Sequence, residues 1–201
     1  MAATVYDTET TGLPFFNERS NDPRQPHLVQ LAILLLNGDG SEARSECVIV
    51  KPDGWIIDTA NASIHGITQE RAMDEGIAED QAVDLFLAMQ SRGAVRVAHN
   101  ESFDRRILRI AMTRVGVERD MIEAIEKRAS YCTCNAATPL VNLPPTEKMI
   151  AAGIMRPKSA SLIECMAHFF GETLPGAHDA LVDARACGRL YTHLQDQGKA
   201  A

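Results

Sequence analysis

The sequence predicts an α/β protein built on a five-stranded mixed sheet with helices on both faces. Three observations carry that prediction. Three strand-like segments come first, joined by loops, and two shorter apolar strands then alternate with segments of helical periodicity. The segment Leu28–Leu36 is almost wholly apolar, as suits a central strand covered on both sides. The chain has 201 residues, of which 45% are hydrophobic, enough for one well-buried core. This predicts a single domain over residues 1–197 and a short flexible tail at 198–201.

Taken in order, Ala3–Asp7 is the first strand, and the Asn-, Pro- and Arg-rich stretch Leu13–His27 is a surface loop. Leu28–Leu36 is the second strand. Asn37-Gly38-Asp39-Gly40 is a turn signal, and Ser45–Val50 returns as a third strand, completing an antiparallel meander. Lys51–His65 reads as irregular, and Thr68 caps a short helix after it. Ala82, Leu85, Phe86 and Met89 share one side of a helix over Glu79–Gln90, which Gly93 ends. Val95–Ala98 is the fourth strand, followed by helices over Ser102–Val115 and Arg119–Arg128, and Tyr131–Cys134 is the fifth strand. The Pro-rich stretch Pro139–Pro157 holds one short helix near Glu147–Ala151. Helices over Ser161–Phe170 and Asp179–Gln195 complete the chain.

The longest apolar run, Leu31–Leu36, is far too short to cross a bilayer, and no basic-then-apolar segment opens the chain, so a cytoplasmic protein without membrane contact is expected. Five cysteines without C-x-x-C spacing suit a reducing compartment; Cys132 and Cys134 read as packing residues alternating on the fifth strand. The formal charge of −7 argues against a basic nucleic-acid-binding face. It does not decide the matter, because bound divalent ions would reverse the local field. Arg105, Arg106, Arg109 and Arg114 are concentrated in one helix, which reads first as a solvated face.

The carboxylates carry the chemistry. In VYDTETTG, Asp7 and Glu9 stand two apart on an extended segment and project to the same side. Like charges held that close raise one another's pKa unless a multivalent cation lies between them. In the helix after His99-Asn100, stepping back from Ile107, Leu108, Ala111 and Val115 lands on Asp104; in the last helix, stepping back from Cys187, Leu190, Tyr191 and Leu194 lands on Asp183. An acid in a first helical turn gains only ~0.3–1 kcal/mol from the helix dipole. That is too little to offset the several kcal/mol that an unpaired buried carboxylate costs. Neither stripe offers a Lys or Arg partner. Oxygen ligands from separate elements converging at one sheet edge favour Mg²⁺ or Mn²⁺ over zinc. His178, on a Gly-containing loop five residues before Asp183, is placed to exchange a proton with water.

With DTETTGL at Asp7–Leu13, HN-x-x-FD at His99–Asp104 and HDALVD at His178–Asp183, the chain resembles the DEDDh exonucleases, a group that includes the proofreading epsilon subunit of bacterial DNA polymerase III. Val29-Gln30-Leu31-Ala32, Lys51-Pro52-Asp53 and His65-Gly66-Ile67-Thr68 match as well, so the likeness extends from about Ala3 to Leu194. It implies an RNase H-like fold, with three antiparallel strands and two more parallel to the first. It further implies removal of nucleotides one at a time from a 3' end by two-metal chemistry. By position, the resemblance makes Asp7, Glu9, Asp104 and Asp183 the ligands of two divalent ions, Mg²⁺ or Mn²⁺, and His178 the general base. Thr10, Thr11, Gly12 and Leu13 would grip the terminal nucleotide, His65 and Phe103 would line its pocket, and Asn100 would orient it.

The sequence departs from the family at Tyr131-Cys132-Thr133-Cys134, where relatives carry Asp-Thr or Asp-Ser, and at Gln30, where Glu is frequent. The tail that joins the epsilon subunit to its polymerase has no counterpart here, which leaves polymerase subunits open as partners. The expected partner is single-stranded DNA or a DNA 3' end, cleaved to nucleoside 5'-monophosphates by a monomer or homodimer. An exoribonuclease like RNase T or oligoribonuclease, and a non-catalytic binding module on the same fold, are the alternatives.

Overall fold

The computed structural model describes residues 2–200, with side chains to Gln197, so the side chains of the tail expected at 198–201 lie outside the described residues. The strands are β1 (Ala3–Thr10), β2 (Leu28–Leu36), β3 (Glu42–Ile49), β4 (Val95–Ala98) and β5 (Ser130–Cys132). The helices are α1 (Thr59–His65), α2 (Gln69–Glu75), α3 (Glu79–Gln90), α4 (Glu101–Arg114), α5 (Arg119–Glu126), α6 (Thr133–Val141), α7 (Glu147–Ala151), α8 (Leu162–Phe170) and α9 (Ala180–Ala200). They form one mixed sheet in the order β3-β2-β1-β4-β5. β1–β2 and β2–β3 pair antiparallel, while β1–β4 and β4–β5 pair parallel. The expected α/β architecture is therefore present, with β1 near its middle.

Because side chains alternate along a strand, β1 sorts its residues between two cores. Ala3 and Val5 join the cluster built with Ala184, Cys187, Leu190 and Tyr191 of α9 and Cys165 of α8. Tyr6 joins Phe86 of α3 and Ile107 and Leu108 of α4 on the opposite face. Asp7 and Glu9 continue the Ala3–Val5 side, toward α9. Apolar contact along both helices thus fixes where their amino-terminal acids stand.

Several boundaries differ from expectation. β1 runs on to Thr10, paired through Glu9 with Gln30, so both motif acids lie within the strand. Thr59–His65 is helical where an irregular stretch was expected: Asp58 Oδ1 accepts from the Asn61 N–H at 2.7 Å, and Gly66 closes the helix at φ 71°. β5 stops at Cys132 and the chain turns into α6, so Cys134 is a buried helical residue and does not alternate with Cys132 on a strand. The Pro-rich stretch expected from Pro139 with a helix only near Glu147–Ala151 begins inside α6: Pro139 sits in the carboxyl-terminal half of that nine-residue helix, where burial of Cys134 and Ala137 outweighs one lost backbone bond. α3 is capped at Ser91, not Gly93; a side chain at Gly93 would collide with Thr4 of β1, so this glycine serves close approach of chain segments. No helix among the described residues is long and apolar enough to cross a membrane.

Candidate active site

A cavity of about 270 Å³ opens at the carboxyl end of β1, lined by Asp7, Thr8, Glu9, His99, Phe103, Asp104, Ser161, Leu162, Ile163, Ala177, His178 and Asp183. Residues far apart in sequence meet here for identifiable reasons. Asp104, 3% exposed in the first turn of α4, is fixed by β1: its Oδ1 accepts from the Thr8 N–H at 3.0 Å and from Thr8 Oγ1 at 2.8 Å. Asp183 lies in the first turn of α9, and its Oδ2 accepts from the His178 N–H at 3.0 Å. His178 adopts φ 71°, a left-handed conformation that folds the loop back over Asp183.

The amino end of α9 is itself clamped to the sheet. Asp179 Oδ1 accepts from the N–H groups of Leu181 and Val182, and Gln30 Oε1 accepts from the Ala180 N–H at 3.0 Å. Gln30 Nε2 also reaches Asp179 Oδ2 at 3.4 Å. The glutamine that departs from the family pattern thus registers Asp183 against β1, and as a neutral amide it can donate to Asp179 as well as accept from the helix.

His99 has a comparable positioning role that its place in the motif did not reveal. Its Nε2 lies 3.0 Å from the Ala160 carbonyl and its Nδ1 3.0 Å from Thr133 Oγ1. A carbonyl can only accept, so the proton belongs on Nε2. Burial lowers the pKa of this imidazole against the opposing pull of the Ala160 bond, which favours the neutral form. The ring joins the β4–α4 junction to the segment before α8. Ser161, Leu162 and Ile163, at the start of α8, also went unassigned; the Ser161–Glu164 capping box marks that helix start but carries no sign that it walls a cavity.

Electrostatically the site is a concentration of unneutralised acid. Burial raises the Glu9 carboxyl from 4.5 to about 8, with Asp183 and Asp104 adding like-charge repulsion. Asp7 is pushed well above the carboxylate range by burial and then by Asp104, Asp183 and Glu9. Asp104 rises to about 7, chiefly through burial and against the opposing pull of the Thr8 bonds. Asp183 is also raised by burial, and its Oδ1 is buried without a hydrogen-bond partner. Ligand atoms of Glu9, His178 and Asp183 all lie within 4.8 Å of one another. An orphaned carboxylate oxygen beside a second carboxylate and an imidazole is a donor set that fits a divalent cation.

This arrangement has a measurable consequence. The unfolded chain releases the Glu9 proton near 4.5 and the folded chain near 8, so between those values the native state binds more protons than the unfolded state. Stability therefore falls as pH rises through that window. Thermal melts in EDTA should show a melting temperature several degrees lower at pH 8 than at pH 5, with Mn²⁺ recovering most of the difference at pH 8 by binding the folded site. Metal-free melting temperatures that rise across this interval would exclude a cluster of repelling acids.

The remaining expected site residues lie around this cavity and not on its wall. Thr10 Oγ1 donates to the Gly12 carbonyl at 2.7 Å, and Gly12 at φ 148° adopts a backbone that side-chain residues avoid. Thr11 is held by the His27 N–H on its hydroxyl at 2.9 Å and by Asn61 Nδ2 on its carbonyl at 2.9 Å. Leu13 is 79% exposed beyond this pinned turn. His65 is buried, with Nδ1 accepting from the Ile67 N–H and Nε2 unpartnered; burial lowers its pKa against the opposing charge of Asp58. Asn100 stands at the head of α4 at φ 69°, its Oδ1 accepting from Ser102 at 3.3 Å.

A family model described as Exonuclease (RNase_T) matches residues 4–191. No curated protein sequence matches the chain. Among solved structures, the zinc-bound Escherichia coli exonuclease I complex with single-stranded DNA superposes with a TM-score of 0.75 at 16% identity, covering 99% of this chain and 41% of that one. The same enzyme with a dA16 oligonucleotide gives a TM-score of 0.75 at 18% identity, with 99% and 42% coverage. Exonuclease I from Methylocaldum szegediense gives 0.75 at 19% identity, with 98% and 41% coverage. At these identities the likeness establishes a common fold. The chain spans about two fifths of the length of these solved chains.

Proposed function

The chain belongs to the RNase_T exonuclease family, and from that premise we propose that it hydrolyses single-stranded DNA stepwise from the 3' end, releasing nucleoside 5'-monophosphates. The observation that carries this reading is the meeting of Asp7, Glu9, Asp104, Asp183 and His178, from β1, α4 and the start of α9, around one cavity. The DNA-bound relatives support the choice of a single strand.

In this reading Asp7, Glu9, Asp104 and Asp183 would hold the divalent ions, which would supply charge neutralisation at the attacking water and at the departing 3' oxygen. His178, exposed at the mouth, accepts the proton of the attacking water at a ring nitrogen, while its backbone N–H keeps the loop tied to Asp183. The Thr8–Asp104 bonds hold α4 and the Gln30 bond to Ala180 holds α9 against the sheet, so the carboxylates need not reorganise when substrate arrives. Leu13 wedges against the terminal base above the Thr10–Gly12 turn, and Phe103 packs on its far side.

The test is a pair of 5'-labelled strands of identical sequence, one DNA and one RNA, incubated with Mn²⁺ or Mg²⁺. The proposal expects the DNA strand to shorten one nucleotide at a time from its 3' end, and EDTA to stop the reaction. Release of the labelled 5' nucleotide first, or no cleavage of either strand, would overturn it. Preferential shortening of RNA would move the substrate to the alternative class while retaining the site.

A further inference from the structure

Beyond the acidic cavity, four of the chain's arginines gather in a groove for which the mechanism has no use. It encloses about 580 Å³ between the 13–27 loop and the α4–α5 pair, and is lined by Arg19, Arg106, Arg109 and Arg119 against a single acid, Glu123. Arg106 holds the loop to α4: its guanidinium donates to Ser20 Oγ at 3.1 Å and to the Phe15 and Glu18 carbonyls. All those acceptors are neutral. Burial lowers the Arg106 pKa, with the neighbouring charge of Arg109 adding to it and Glu126 opposing it. Arg109 and Arg119 are paired with Glu126 at 2.6 Å and Glu123 at 2.8 Å, while Arg19 is exposed on the loop.

The groove and the acidic cavity share helix α4: Phe103 and Asp104 line the cavity, and Arg106, Arg109 and Thr113, further along the same helix, line the groove. At 1.5 Å rise per residue, Phe103 to Thr113 spans about 15 Å. That is the reach of a few nucleotides of one strand. Elsewhere on the same loop Phe16 is 59% exposed and Phe15 48%, with Arg24 over the Phe15 ring at 5.6 Å. Cations tracking a backbone beside open aromatic rings form the pattern that holds single strands without reading sequence.

We propose that this groove is the track for the strand on the 5' side of the reacting end, its phosphates drawn by the excess of Arg19, Arg106, Arg109 and Arg119 over Glu123 and Glu126. The inference rests on the nuclease reading and adds where the uncut strand lies. It also resolves the opposition between an acidic protein and a polyanionic partner: the −7 is a whole-chain sum, and the track is a local reversal.

Binding is the measurement, because it does not depend on turnover. A fluorescent phosphorothioate oligothymidylate long enough to fill the track, and a phosphorothioate dinucleotide, are titrated with the full chain and with Arg19→Ala/Arg119→Ala in Mn²⁺. Both positions are exposed, so the variant should fold; matching thermal melts verify this. The proposal expects roughly tenfold weaker binding of the long strand, and a salt dependence shallower by about 0.7 for each phosphate that is no longer neutralised. Dinucleotide affinity should stay within about twofold. Arg19→Lys/Arg119→Lys should recover most of the loss, since pairing with a phosphate needs the charge more than the guanidinium shape. Unchanged long-strand affinity in the alanine variant, or equal losses for both ligands, overturns the track. Arginine-dependent binding by a protein that cleaves nothing would sink the nuclease reading and leave the track standing.

Discussion

Asp7→Asn is expected to lower nuclease turnover at least a thousandfold and, in the same protein, to raise the melting temperature measured in EDTA. The first effect follows from the place of Asp7 in β1, between Tyr6 of the core and Thr8, which holds Asp104. Asparagine keeps the shape and removes the charge that two cations would share. Charge stabilisation worth several kcal/mol is thereby lost, and ~4 kcal/mol is a factor of about a thousand in rate. The second effect has the opposite sign because Asp7 is costly to the fold alone: it is buried and repelled by Asp104, Asp183 and Glu9. Removing one carboxyl relieves that repulsion by on the order of 1–2 kcal/mol, about 2–8 °C for a chain of this size. The fall in metal-free stability between pH 5 and pH 8 should also become shallower. Loss of activity together with a lower metal-free melting temperature would make Asp7 a structural residue and defeat this account.

The same opposition between local cost and site chemistry explains what the sequence made legible. Asp104 and Asp183 could be found because each heads an apolar helical stripe, where an acid without a cationic partner is anomalous. β2 and α3 match their expected bounds because Leu28–Leu36 is unbroken apolar sequence and Ala82, Phe86 and Met89 keep one periodicity. The same logic fails for Gln30 and His99. A glutamine on a strand and a histidine at a strand end have no local abnormality, and their roles exist only once α9 and the segment before α8 arrive against them. Helix α6 was hidden for a related reason, since Pro139 and the strand-like Tyr131–Cys134 both argue locally against a helix that tertiary packing stabilises. The arginines of α4 were visible as a run, but only the folded loop from Leu13 to His27 separates Arg106 and Arg109, on the groove, from Arg114, which is bound to Glu79 at 2.8 Å.

Glu101→Ala is expected to cost about 3–5 kcal/mol of stability, more than any single carboxylate of the cavity, although Glu101 takes no part in the chemistry. Its side chain is buried at the start of α4. There Oε1 accepts from Tyr6 Oη at 3.1 Å and stands 3.6 Å from Arg96 Nη2, with Arg105 at 3.9 Å from Oε2. Arg96 is 2% exposed on β4, its Nε has no partner, and its Nη2 also donates to the Glu126 carbonyl at 3.4 Å. Truncating Glu101 leaves a guanidinium in the core without a counterion, which is the expensive case; replacing both members with apolar residues is not. Arg96→Met/Glu101→Leu should therefore recover most of the loss, and Tyr6→Phe, which deletes one hydroxyl bond, should cost only about 1 kcal/mol. Denaturant unfolding of the four proteins gives the ordering directly, and a double variant no more stable than Glu101→Ala would show that the charge pair is not the cause. The consequence for function is geometric. Tyr6 adjoins Asp7 and Glu101 precedes Asp104 by one helical turn, so this network sets the distance between β1 and α4. The double variant should keep its fold while losing turnover roughly tenfold or more, as small displacements of a catalytic group cost rate steeply.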